Sequence, residues 1–441
     1  MKAQHAEAAG LDEQALDHWE QAGTQALARP AYKEAIASLD NGIRLCRALG
    51  DLPQWKRREL ALHLQLAQAL IAHQSYSAPA TVRAFERALA LADEIGDVSL
   101  QLPALYGRWV GRHTHGSPAL ALAQRFAELA EARPETGPRL IGLRMLGLER
   151  FHESRFGESL ALANKVLDDY DPAVHRDLAL RFGHDARVAA ANFQAWSLWH
   201  LGLPEQAARA GENALRWARE TGHANTIGLA SWAAGTLLNI WLRRPERVEA
   251  AARDGLRFAK EKSLALWHGF AQIHLGWALS QQGAAAGIDE IEGGLDEVHR
   301  IDIGRFEPFH QGIAAQACSR AGRHGEALAR IAKAFELLAY GRDVAFAAEL
   351  HRTRANLLLS ADAAQSEAAE ADLRRALAIA DRQEALALRL RAARDLALLM
   401  AERGERQEAA ALLAPVYAAF TEGFETPDLL EARRLLDGLQ G

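Results

Sequence analysis

Trp19-Glu20-Gln21-Ala22-Gly23-Thr24-Gln25-Ala26, a break at Arg29-Pro30, then Tyr32-Lys33-Glu34-Ala35-Ile36-Ala37-Ser38-Leu39: the reading of this stretch decides the fold. Apolar and small residues recur three and four apart on both sides of the break, the period of a helix buried along one stripe. Ala22, Gly23 and Ala26 on the first segment, with Ala35 and Gly42 on the second, are small enough for two backbones to cross closely. The segment reads as two antiparallel helices. Such a pair buries one stripe of each helix and leaves a second apolar face bare, so it needs a neighbour of the same kind.

The neighbours follow in order. Glu59 to Ile71 pairs with Thr81 to Ile95 across a polar loop, His73 to Pro79. Tyr106-Gly107 and Leu146-Gly147 mark the next two first helices, with Ala119 and Ala123, then Phe156, Ser159 and Ala163, on their partners. A fifth unit runs from Asn192 to His200 and returns from Leu203-Pro204, and a sixth carries Trp232, Asn239 and Trp241. Leu275-Gly276 restores the pattern in the seventh, and comparable pairs continue to Leu413. The spacing resembles the tetratricopeptide repeat, W-x2-L-G-x2-Y then A-x3-F about every 34 residues.

The expected fold is all-α: a right-handed α-solenoid of about ten tetratricopeptide-like helical hairpins. It is expected to run as a single domain through residues 1–441. Amino-terminal repeats would occupy 12–170, aromatic-rich central repeats 171–340, and carboxy-terminal repeats 341–441, closed by a capping helix from Asp428 to Leu439. Ala6 to Leu11 reads as the tail of a helix from a preceding unit, Asp12 as a helix cap, and Met1 as the start of a solenoid without a capping repeat. No alternating Val/Ile-rich segment bounded by turn residues suggests a sheet.

Hydrophobic residues make up 49% of the chain, ample for a packed core. A balance of 51 Lys and Arg against 57 Asp and Glu leaves a net charge of −6, which argues against a nucleic-acid surface. No apolar run of about 18 residues and no charged-then-apolar leader occurs, so neither a membrane span nor secretion is expected. Cys46 and Cys318 lie far apart in helical patterns, as buried thiols of a reducing compartment do. The expected location is the cytoplasm.

Catalytic look-alikes fail on context. His175-Arg176-Asp177-Leu178 copies the opening of a kinase catalytic loop, but Phe182 stands where its Asn belongs and no phosphate-binding loop accompanies it. Charge at a helix end beside Pro172 is the better reading. His113-x-His115, and His299 with Asp302, offer at most two metal ligands each, and His152-Glu153 meets Phe156 where a second zinc-binding His would stand. No nucleophile elbow is present. No enzyme activity, metal or cofactor is expected.

Binding residues can be placed by the tetratricopeptide resemblance, in which fixed positions of each first helix face a concave groove. That register gives Arg108 and Arg112 in the third unit, then Arg144, Phe151 and His152 in the fourth. It gives Asn192, Trp196, Trp199 and His200 in the fifth and Trp241 in the sixth. Trp277 with Gln281, and Gln316 with Arg320, complete the set. Aromatic anchors flanked by arginine suit a peptide or a small ligand. Two plainer readings stay open: Trp196 and Trp199 could fill gaps between repeats, and each Arg could pair with a local Glu.

Two stretches carry a narrower resemblance. His5-Ala6-Glu7-Ala8-Ala9-Gly10 with His18 to Gly23, and Leu412-Leu413-Ala414-Pro415-Val416-Tyr417 with Phe420 to Phe424, resemble the two ends of the helical-repeat region of bacterial multidomain signalling ATPases. Those proteins are often fused to class III adenylate or guanylate cyclases. Their catalytic motifs would precede the repeats and are not in this chain. The resemblance implies a non-catalytic regulatory arm that binds a protein or peptide partner in its groove and controls an upstream ATPase or cyclase. The alternative is a small-ligand sensor in which Trp196, Trp199 and Trp241 stack on a sugar. A purely architectural role is a third.

Overall fold

A computed structural model describes residues 2–29, 31–74, 78–339 and 343–440. The all-α solenoid expected from the repeats is what forms: antiparallel helices joined by short connections, with no strand among the described residues. The chain divides into two compact units, Met1–Gly142 with Ile301–Ile303 and Leu143–Arg300 with Gly304–Gly441.

The founding hairpin pairs helix Asp12–Ala28 with helix Tyr32–Leu49, and Leu16, Ala26, Leu39 and Ile43 are buried between them. A Cβ on Gly23 would stand 2.7 Å from Leu39 Cδ2, so any larger residue here would have to push the Leu39 side chain aside. Asp12 is the first helical residue rather than the cap, which is Leu11 with no side-chain hydrogen bond. The Asp12 carboxylate still lies at the positive end of the helix. Helices Pro53–His73 and Pro79–Ile95 flank the expected polar loop, of which residues 75–77 lie outside the described residues, as do Met1 and Pro30.

In the second unit, helices Ala265–Gln281 and Gly287–Arg300 come into backbone contact. A Cβ on Gly276 would lie 2.4 Å from the Gly287 carbonyl oxygen, and one on Gly294 would lie 2.6 Å from that of Gly269. Two departures from the repeat occur nearby. Short helices Pro172–His175 and Leu178–Phe182 fill the connection before Ala186–His200, with Asp171 capping the first by accepting from Ala173 N at 2.8 Å. The kinase-like His175 to Leu178 stretch is therefore a pair of helix ends, with His175 Nδ1 accepting from Asp171 N at 2.9 Å. Ser231–Leu237 is a π-turn within the sixth first helix, and the carbonyl of its Ala233 accepts the Trp196 indole N–H at 3.1 Å.

Within the second unit the last repeats return to the first. The Glu422 carboxylate accepts from Glu205 N at 2.8 Å and Gln206 N at 3.0 Å, capping helix Pro204–Thr221 from the far end of the sequence. Gly423 N donates back to Glu205 Oε1 at 2.9 Å. Leu386 packs on Gly202, and Arg243 pairs with Asp428 at 3.1 Å. Cys46 and Cys318 are buried free thiols, and burial pushes Cys46 up to about 12. No helix among the described residues is long and apolar enough to cross a membrane.

The backbone contact sets a prediction. Gly276→Ala must push two main chains apart and lowers stability by about 1–3 kcal/mol. Gly325→Ala, with nothing within 4 Å of its Cβ, holds or raises stability by up to about 1 kcal/mol. Thermal unfolding followed by circular dichroism checks both, and equal melting temperatures for the two variants would refute the contact.

Candidate functional site

A cavity of about 510 Å³ opens inside the second unit. Trp199 and His200 reach it from the end of helix Ala186–His200, Trp241 from the end of the sixth first helix, and Trp277 from Ala265–Gln281. Phe309, Gln316 and Arg320 come from Glu307–Arg320. Glu349, Arg352, Thr353, Asn356 and Ser360 come from Ala347–Ala361, spaced three and four apart and so on one face. Arg391 and Arg394 of Leu386–Glu402 and Asp428 of Pro427–Gln440 complete the wall.

That wall is an arginine–carboxylate lattice. Arg352 binds Glu349 and Asp395, each at 2.6 Å, and Asn356 donates to Asp395 at 2.9 Å. Arg391 donates to Asp428 at 2.8 Å and to the Trp241 carbonyl at 2.6 Å, while its guanidinium lies 4.9 Å from the Trp199 ring centroid. Arg394 bonds Asp395 at 2.6 Å and Glu431. Arg243 bonds Glu431 at 2.6 Å. Burial would raise the carboxyls of Asp395, Glu349 and Asp428, but the arginines outweigh it and hold all three below the usual carboxylate range. Each stays ionised because each is paired.

Other polar groups of the lining have no such partner. Among the described residues no carboxylate or carbonyl pairs with Arg320, which is exposed, and none accepts the indole N–H groups of Trp199, Trp241 and Trp277. His200 Nδ1 donates to the Trp196 carbonyl at 2.8 Å, which leaves Nε2 as the acceptor. Burial drives His200 down to about 3, so its ring is neutral. Of these groups only His200 Nε2 is an acceptor; the Arg320 guanidinium and the three indoles are donors.

The expected groove residues divide into three groups. Trp199, His200, Trp241, Trp277 and Arg320 converge on the cavity. Arg108 and Arg112 lie in the first unit beside a small hollow of about 50 Å³, where Arg108 pairs with Glu86 at 3.0 Å and Arg112 donates to the Pro118 carbonyl at 2.9 Å. Arg144, His152, Asn192 and Trp196 belong to the interior of the second unit instead of a groove.

Arg144 donates to the His184 carbonyl at 3.4 Å. His152 and Arg305 clasp buried Asp343 at 2.8 and 2.9 Å. Trp196 packs against Phe151, Trp232, Trp241 and Phe306. The reason is that helix Ala186–His200 is buried almost all round, so its groove-register positions become core. Trp199 is stacked on Trp241 at 5.3 Å and covered by Arg391, which leaves these rings to offer edges rather than faces for sugar stacking.

The sequence reading missed Arg243, Glu349, Arg352, Arg391, Arg394 and Asp428. A signal existed for the middle four: Glu349, Arg352 and Asn356 share a helix face, as do Arg391 and Arg394, in the same register applied to earlier repeats. Asp428, assigned only to a cap, had none.

No family model matches the chain. An uncharacterized protein of Rhizobium meliloti (strain 1021) is 26% identical over 402 residues, covering 88% of this chain, which spans 38% of that relative's length. The crystal structure of a Rap protein complexed with Competence and Sporulation Factor superposes with a TM-score of 0.57 at 14% identity, covering 86% of this chain and 99% of that one. The chain shares the fold of the tetratricopeptide-repeat solenoids. Two further solenoids align less well. One is a signal transduction ATPase with numerous domains and a tetratricopeptide repeat sensor from Pyrococcus horikoshii, at TM-score 0.46 and 14% identity, covering 86% of this chain and 54% of that one. The other is yeast Tom70, at TM-score 0.39 and 13% identity, covering 97% and 96%.

The buried histidines predict a pH dependence. Burial pushes His184, His200 and His310 down to about 3 against 6.5 when unfolded, so below 6.5 the unfolded chain binds protons that the folded chain refuses. Stability therefore falls as pH drops through this window, by up to about 1.4 kcal/mol per pH unit for each. His299, raised by its bond to Glu307, opposes them in part. Denaturant midpoints measured between about pH 7 and pH 5 should decline, and His200→Gln should flatten the slope. A flat profile would contradict the burial.

Proposed function

We propose that the chain is a non-catalytic regulatory arm whose second unit takes a segment of a protein partner into the cavity walled by Arg352, Arg391 and Arg394. The observation that carries this reading is the lining itself. Indole N–H donors and the unpaired Arg320 face a cavity whose charged wall is already held rigid by internal pairing. Rigid aromatic anchors and fixed guanidinium groups are the side chains from which tight protein contacts are built. The same lining argues against catalysis. Its carboxylates are locked below their usual range and its histidine is neutral, so neither is set to exchange a proton near neutral pH.

Two further points support the arm-like role. A Rap protein of the same fold was crystallised with Competence and Sporulation Factor bound. Most of the Rhizobium relative lies outside the matched region, as expected where repeats serve a larger protein. Control of a signalling ATPase or nucleotide cyclase fits the resemblance of the chain's two ends. In a repeat array a bound segment alters curvature at low cost, because each repeat touches only its neighbours.

A selection of short random peptides on the full chain tests the proposal. Wild type should enrich a set of sequences, and Trp277→Ala with Arg320→Gln should bind them about tenfold or more weakly. Equal enrichment by the wild type and the variant would sink the cavity as the capture site.

A further inference from the structure

The cavity is bounded on one side by the line where the last repeats of the second unit meet the first. On one side of this seam stand Gly202, Pro204 and Arg243; on the other stand Leu386, Glu422, Gly423, Asp428 and Glu431. Most of what crosses it is polar. Arg243 pairs with Asp428 at 3.1 Å and Glu431 at 2.6 Å, Arg391 donates to the Trp241 carbonyl, and the Glu422 carboxylate caps helix Pro204–Thr221. Apolar contact is present as well: Leu386 lies on Gly202 and Pro204 on Gly423, and Trp199 and Leu242 face Ala387, Leu390 and Phe420 around a small hollow of about 20 Å³. The helices on either side are anchored in their own repeats: Leu429, Ala432 and Leu436 pack into a core with Leu396, Leu413 and Phe420. Parting the seam therefore breaks ion pairs and hydrogen bonds and uncovers this small apolar contact, while the cluster around Leu396 keeps its own packing.

The charges decide what can part it. Asp428 and Glu431 keep Arg391 and Arg394 when the seam opens, since all four lie on its carboxy-terminal side. Arg243 loses both of its carboxylates, Arg209 gives up Glu422 and keeps Glu205, and Arg320 of the same lining already has none among the described residues. A carboxylate from outside would take the place of Asp428 and Glu431 on Arg243. A neutral ligand would leave that cation without a carboxylate.

We infer that the Arg243–Asp428–Glu431 contact is the gate of the cavity, and that the segment it admits is an acidic peptide whose carboxylates pair with Arg243 and Arg320. This rests on the cavity being the capture site proposed above. The closed seam is then a self-occupied state, in which the chain's own last helix supplies the acids that the partner replaces.

A disulfide staple tests the gate. A Cβ on residue 423 lies 3.5 Å from Pro204 Cβ, within the span of a disulfide, and the native thiols of Cys46 and Cys318 are buried. The full chain carrying Pro204→Cys and Gly423→Cys is titrated with fluorescein-labelled hexaglutamate, with a Gly-Ser peptide of equal length as control. Reduced protein should bind hexaglutamate and not the control, and oxidised protein should bind it about tenfold or more weakly. Asp428→Asn with Glu431→Gln should tighten binding about tenfold, and Arg243→Gln should weaken it as much. Equal binding by the oxidised and reduced forms, or equal binding of the two peptides, overturns the gate. If the staple has no effect while Trp277→Ala with Arg320→Gln still abolishes peptide capture, the gate falls and the cavity stands; if neither matters, the cavity reading falls with it.

Discussion

A helical hairpin that crosses at small residues can bury only one of its apolar faces, and the rest of this structure depends on how the other face is covered. At Gly23 the crossing leaves room only for the Leu39 side chain, and where Gly276 meets the Gly287 carbonyl the two backbones themselves touch. Each hairpin then presents its remaining stripe to the next, and the array grows by repetition. Local contacts between consecutive helices dominate such an array, so its core is a series of small clusters, such as those around Leu39 and Leu396.

The second unit solves the covering problem differently at its centre. There the first helices are flanked on every side, and the interior fills with rings: Phe151, Trp196, Trp232, Trp241 and Phe306 pack at tilted and edge-on angles that suit their quadrupoles. Where the last repeats return to the first, the contact surface is charged. Arginine is the residue that can serve there, because its planar fork binds two carboxylates and also lies over a ring, as Arg391 does with Asp428 and Trp199. The cavity is the space left between this ionic wall and the aromatic interior.

Much of the candidate site was legible from the repeat register. The tetratricopeptide resemblance places Trp199, His200, Trp241, Trp277 and Arg320 on the groove face, and all five line one cavity. The register failed for Asn192 and Trp196 because it assumes that a first helix has an open side, and helix Ala186–His200 reaches the cavity only at its end. Arg144 and His152, on helix Thr136–His152, are held inside by the His184 carbonyl and by Asp343. For Arg108 the plainer reading, pairing with a nearby Glu, is the one realised, with Glu86; which Glu it meets depends on side-chain reach between neighbouring helices.

By itself the sequence determined the helices, their pairing and the small residues at their crossings, because these depend on contacts between residues close in the chain. The return of residues 420–431 onto residues 202–243 was decided only by the tertiary structure. Nothing local in Glu422, Asp428 or Glu431 distinguishes a carboxylate that will meet Glu205 N or Arg243 from one left in water. That outcome accumulates from small rotations between successive repeats, which bring residues far apart in the chain to the same place.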